Sequence, residues 1–445
     1  MDLQERLSYL EVNHDWQGLI EELEKGITGS AQNVAKAAYH LRLGRILDQK
    51  FLMGVKALKH FQDAYKLNPA LIESLEAARG IYWDLGKLNM VQKLLELELK
   101  SSNSGAVASE LLTELGDVQC DLGDYDKATA TYARALAASG GENKQASACL
   151  EDVQAESGSW QQQVAMHLRA ATSSTDAKPR SRFFMRAARI SRRFAPEEVE
   201  PLLARAYAAD PTSRQAAALY EALMSEQAKL EELEASQVEI LTAITDHVER
   251  GRLAMTFGKR WVQRHQNIDI GSRFLEDAVK LDVGNEGAFH FLRDAYGKKG
   301  GDWNRVLTIA EEGATRAGEN GNATFLLVQA GTIAWRELGN LIRARTSFER
   351  LADIAPEHPQ LRAFELQIGE TLKGTSQREP ASPSFPPIPA TRSGHPPAHA
   401  GGDEATPSAT PTPRAPGLPA DLASLDRPTA PPPEPAPTDD VADAR

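Results

Sequence analysis

The chain has 445 residues, of which 41% are hydrophobic and only 6% aromatic, and it carries a formal net charge of -12. That length fits two or three ordinary domains or one extended repeat array. An acidic balance, with a pI near 5.5, disfavours a phosphate backbone as partner unless the basic residues are gathered in one place.

At the N-terminus, Asp2, Glu5 and Arg6 stand where an export signal would need a basic start and an apolar run, so none is read there. No run of about 18 apolar residues lacks a charge, so no membrane span is expected and a cytoplasmic location is the default. Cys120 and Cys149 sit among Leu, Val and Ala, too far apart for a CxxC pattern, and read as buried, reduced thiols.

Helical periodicity begins at once and returns in units. Residues 34 to 69 end in Ala57, Phe61, Ala64 and Pro69, spaced so that the first three share one helix face. The clearest unit is SELLTELGDVQCDLGDYDKATATYARALAAS. Leu112, Leu115 and Gly116 lie on its first helix, Gly123-Asp124-Tyr125 makes the turn, and Ala128, Tyr132 and Ala135 line the second helix. Gly116 and Ala128 let the two helices approach while Tyr132 fills the gap beside them. Gly123 suits a C-cap and Asp124 an N-cap.

Related turns are Asp15-Trp16, Leu85-Gly86-Lys87-Leu88, Gly158-Ser159-Trp160, Gly301-Asp302-Trp303 and Gly339-Asn340-Leu341. Ala206 and Pro211 repeat the last interval of the 34 to 69 unit, and Ala344, Phe348, Leu351 and Pro356 repeat all of it. Residues 140 to 180 and 213 to 285 fit less well; 213 to 250 lacks a glycine turn and reads as a longer helix or a joint between two sub-arrays.

These residues resemble the tetratricopeptide repeat family, here as a bacterial-type helical-repeat protein, whose unit of about 34 residues is a helix, a turn and a helix. The resemblance implies an all-α fold: an α-solenoid of stacked antiparallel helix pairs over residues 1 to 374, in roughly eight units. From residue 375 to 445 the sequence turns to Pro, Ala, Thr and Ser, with 18 of the 25 prolines after Gly374. Such a segment cannot bury enough apolar surface to offset its ordering entropy and is expected to be a disordered tail.

Catalytic spacing is not found. The ten histidines form no HExxH, and Gly297, Gly300 and Gly301 lead into Asp-Trp rather than Gly-Lys-Ser, which suits a helix turn and not a phosphate cradle. No catalytic, metal or cofactor-binding residue is assigned and no enzyme is expected. Trp16, Trp160 and Trp303 start second helices and read as packing residues, as do Trp83, Trp261 and Trp335 within helices.

Two charge stripes stand out. Glu110, Glu114, Asp117 and Asp121 recur at spacings of four, three and four, and Arg182, Arg186, Arg189 and Arg193 repeat that spacing, so each set forms one helix face. Four arginines at helical spacing repel by a few tenths of a kcal/mol per pair, so anions must compensate them. Two sources stay open: an internal network drawing on Glu197, Glu198, Glu200 and acid-rich neighbouring helices, or an acidic partner segment held by bidentate arginine contacts.

The family resemblance places both stripes toward a concave groove that holds peptides or partner helices. They are therefore the candidate partner-binding residues of a non-catalytic protein-protein scaffold or adaptor. Arg182 and Arg186 are similar to the basic last third of the family's chaperone-carboxylate clamp, but Thr113, Asp117 and Asp152 stand where Lys and Asn are wanted, so that partner is not expected. The alternatives are an RNA-associated helical-repeat protein, opposed by the acidic charge, and a tether acting through the proline-rich segments at 382 to 389 and 431 to 437.

Overall fold

The computed structural model describes residues 3–101, 105–317 and 323–374 and divides the chain into two units, Met1–Ala381 and Ser382–Arg445. The proline-rich segment expected to be disordered lies outside the described residues.

Among the described residues the first unit consists of helices alone. It opens with hairpins α1 (Leu3–Val12) with α2 (Trp16–Gly29), α3 (Asn33–Phe51) with α4 (Gly54–Leu67), and α5 (Glu73–Asp84) with α6 (Leu88–Ser101). Next come α7 (Gly105–Asp121) with α8 (Tyr125–Ala138), α9 (Lys144–Val153) with α10 (Trp160–Ser173), and α11 (Ala177–Phe194) with α12 (Val199–Ala209). Then follow α13 (Arg214–Glu226) with α14 (Leu230–Ala243), α15 (His247–Gln263) with α16 (Ile268–Leu281), α17 (Glu286–Leu292) with α18 (Trp303–Ala317), and α19 (Thr324–Thr332) with α20 (Leu341–Ile354). A single helix, α21 (Pro359–Ile368), ends the series. Both α17 and α19 continue into π-helical turns, Arg293–Lys299 and Ile333–Glu337.

The interlock read from the sequence is the packing unit. A methyl group at Gly116 would stand 2.5 Å from the Tyr132 ring, at Gly44 2.5 Å from Phe61, and at Gly331 2.7 Å from Phe348. In each hairpin the missing side chain on the first helix is the space the ring of the second helix occupies, and all three rings are buried. Gly123 ends α7 with φ +87, the left-handed conformation that costs glycine nothing. Asp124 does not cap α8 by its side chain; its carboxylate pairs with Lys127 instead.

Residues 213–250 contain one more hairpin and the start of the next. The α13–α14 turn has no glycine: Ala228 takes the left-handed conformation at φ 56, and Ser213 caps α13 by accepting from the Ala216 amide. Ser213, Asp246 and Asn267 start α13, α15 and α16 through side-chain caps that take up N-terminal amides.

First helices from the early hairpins meet first helices from the late ones. α3 packs on α17 and α5 on α13. Side-chain bonds link α3 and α5 to α15 and α7 to α11 and α13. The face that a repeat array leaves concave is therefore largely covered by the chain's own second half. Gly287 marks the tightest crossing, where any Cβ would run into the Gln49 carbonyl of α3. In open space, as at Gly29, replacing glycine by alanine within a helix stabilises by about 0.5–1 kcal/mol. Gly287→Ala is expected to reverse that sign and cost about 1–3 kcal/mol, with Gly29→Ala as the control in parallel urea melts.

Candidate functional site

The two charge stripes face each other. Arg189 of α11 reaches Asp121 of α7 with Nε at 2.8 Å and Nη2 at 2.9 Å, and its Nη1 lies 2.9 Å from Asp117. Asp117 also accepts the Tyr132 hydroxyl at 2.7 Å, and Arg192 donates to the Asp121 carbonyl. Arg186 bonds Asp152 of α9, which His167 bonds at 2.7 Å from the other side. Arg193 donates to the Val153 carbonyl and lies over the Tyr125 ring.

What compensates the arginine stripe is thus chiefly the acids of α7 and α9. Of the nearer candidates, Glu200 pairs with Lys229. Burial works against the Arg189 cation, yet Asp117 and Asp121 hold its pKa well above the ordinary value. Glu114 takes Arg79 of α5, whose other nitrogens bond Glu98. At the outer end of the two stripes Glu110 and Arg182 stay exposed, the latter donating to Gln145.

A second charged seam joins α5, α13 and α15. Asp84 faces Arg214, Lys259 and Arg260; Lys259 also holds Asp48 of α3, and Arg260, Arg264 and His265 surround Glu221. Burial pushes the Glu221 carboxyl up, but Arg260, His265 and Arg264 together keep it below the usual range. Sequence reasoning passed over these residues. A hint was available in charges such as Glu221 and Arg260 embedded among apolar neighbours, but Arg260 and Asp84 lie 176 residues apart, and nothing in either segment names the other.

Beside the second seam a cleft of about 690 Å³ remains, lined from α3 by Asp48 and Gln49 with Leu52 just after it, from α5 by Arg79, Trp83 and Asp84, and from α13 and α15 by Arg214, Thr256 and Lys259, among others. Both signs of charge line it. Among the described residues no group of three or more His, Cys, Asp or Glu could hold a metal ion. Cys120 and Cys149 are free, buried thiols, and burial pushes Cys120 up to about 12 and Cys149 well above its ordinary value. Thiols held protonated in this way are poor nucleophiles.

The tryptophans pack. Trp83 donates to Glu114 at 3.0 Å, Trp261 to Gln237 at 2.6 Å, and Trp160 stacks on Phe194. No described helix is long and apolar enough to cross a membrane.

Among the described residues ten helix hairpins, three of which set a glycine of the first helix against a ring of the second, form an all-α helical repeat array of tetratricopeptide-like kind. No protein-family model matches the chain, and no curated protein matches its sequence. Among the solved structures that match is the TPR domain of P58(IPK), at 13% identity and a TM-score of 0.20, covering 82% of this chain and 96% of that one. Another is Naa15/Naa10 bound to HypK-THB, at 12% identity and a TM-score of 0.24, covering 83% of this chain and 66% of that one. Superpositions that loose do not define the fold, which rests on the hairpins themselves.

Proposed function

We propose that this protein is a non-catalytic scaffold that binds a protein or peptide segment, and that its contact region is the cleft bounded by α3, α5, α13 and α15 with the exposed outer end of the stripes, Arg182 and Glu110. The observation that carries this reading is the cleft itself: it is roomy, lined by both signs of charge, and assembled from five first helices and the residues leading into one of them. Exposed polar groups of both signs suit an extended segment whose own charges fix its register. Of the remaining stripe residues only Glu114 lines the cleft; Arg186, Arg189, Arg193, Asp117 and Asp121 hold helices together, since their charged groups already have partners within the chain. An acidic partner segment would find Arg214, which is 55% exposed, and Arg182. An RNA reading gains nothing, because the arginine stripe is turned inward onto acids.

The test is capture by the immobilised full chain from a lysate of the native cell. Thr256→Trp, which fills the cleft, and Arg214→Glu, which reverses its most exposed cation, should each lose proteins that the wild type retains, at a temperature where both variants are folded by circular dichroism. Retention of the same proteins by all three chains would reject the cleft as the contact region.

A further inference from the structure

The junction where the first three helices meet the last ones is built differently from the other seams. Glu286 of α17 accepts from the Trp16 indole, 270 residues away, and pairs with His14 at 2.8 Å and Lys50 at 3.2 Å. The Lys50 ammonium also lies over the Trp16 ring. One turn further along α17, His290 is only 5% exposed, and neither ring nitrogen has a hydrogen-bond partner among the described residues. Its ring stacks on Phe51 of α3 at 4.7 Å and meets the Phe325 ring of α19 edge-on at 5.3 Å. Phe325 in turn touches His14, and His358 at the start of α21 lies within electrostatic reach of His14.

A neutral imidazole can sit between two phenyl rings, but an imidazolium there would need a partner it does not have. The charges that act on His290 are Lys50 from α3 and Arg293 and Lys298 from its own helix, all cationic. The two nearby acids are engaged: Glu286 by His14, Trp16 and Lys50, and Asp294 by Lys298 and Arg293. α19 contributes Phe325 to the contact, and α21 brings only another histidine, His358.

We propose that the α3–α17 junction is an acid-operated clasp, in which protonation of His290 parts α17 from α3 and opens the concave face of the early hairpins. The coupling to the cleft is direct in sequence: Asp48, Gln49 and Leu52 line the cleft, and Lys50 and Phe51 between them form the clasp. In this respect the inference deepens the scaffold reading, but opening is read with no partner present, so either can fail without the other.

The sign follows from linkage. Burial, then Arg293, Lys50 and Lys298, hold His290 well below its ordinary value of 6.5, so the closed form takes up a proton poorly while an opened form takes it up near 6.5. Closure is at full strength above that value and weakens as pH falls below it. Between about pH 7.5 and about pH 5.5 the open population should rise roughly tenfold.

Hydrogen exchange of the full chain, expressed as protection factors corrected for the intrinsic pH dependence, tests this. Protection in α3, α17 and α19 should fall about tenfold at the lower pH while α9 to α11 hold theirs. His290→Phe, which keeps the ring stack and removes the titration, should abolish the difference, and His290→Leu serves the same comparison if the larger ring disturbs folding. Equal protection at both pH values, a loss spread evenly over all helices, or a pH response that survives in the variants would overturn the clasp.

Discussion

Arg189→Ala should cost about 3–5 kcal/mol of stability in a urea melt, the typical penalty for removing one member of a buried ion pair. The side chain is 10% exposed and bonds Asp121 while pairing with Asp117, which are 0% and 8% exposed as side chains. Deleting the guanidinium strands two carboxylates in a place water does not reach, and the cost comes from that stranding rather than from the pair's net worth. The triple variant Arg189→Met, Asp117→Asn, Asp121→Asn removes all three charges together and should recover most of the loss. A single variant within about 1 kcal/mol of wild type would show that the stripes do not meet. A solvent-exposed ion pair on a helix surface is worth only about 0.3–0.5 kcal/mol, so a buried and an exposed stripe are separated by an order of magnitude.

Trp261→Ala is the second large effect, expected at about 3–5 kcal/mol for a fully buried aromatic. Trp261 is 0% exposed in α15, and its indole donates to Gln237 of α14, whose amide also donates to the Tyr207 hydroxyl. The change opens a cavity and leaves the Gln237 oxygen unpaired. Trp261→Phe keeps part of the volume but loses the donor, so it should fall between wild type and alanine in the same melts. Equal losses for both variants would assign the whole effect to the hydrogen bond, and an undisturbed Trp261→Ala would remove this residue from the core altogether.

The local grammar of this chain is written in short intervals. Gly116 with Tyr132 is contained in one hairpin, so the spacing that places a small residue beside a ring can be read directly and the pair closes as expected; Gly44 with Phe61 and Gly331 with Phe348 repeat the same contact in two other hairpins. Residues 213 to 285 carry less of the pattern because the turns inside their hairpins place non-glycine residues in the left-handed conformation, Ala228 at φ 56 and Gln266 at φ 53. Either residue type ends the first helix and turns the chain toward the second, but only glycine takes that conformation without a Cβ penalty, and only glycine belongs to the family's pattern.

The sequence alone determined that the chain forms helices, where most of them turn, and that two faces carry opposite charge at matching positions. Only the tertiary structure decided that those faces meet, that Asp84 and Glu221 gather their cations from distant helices, and that Glu286 closes on Trp16. The physical reason is range. Helix periodicity and capping act over a turn or two and leave a trace in neighbouring residues, whereas an ion pair across a concave face depends on how small crossing angles accumulate over many hairpins, and no short stretch of sequence encodes that sum.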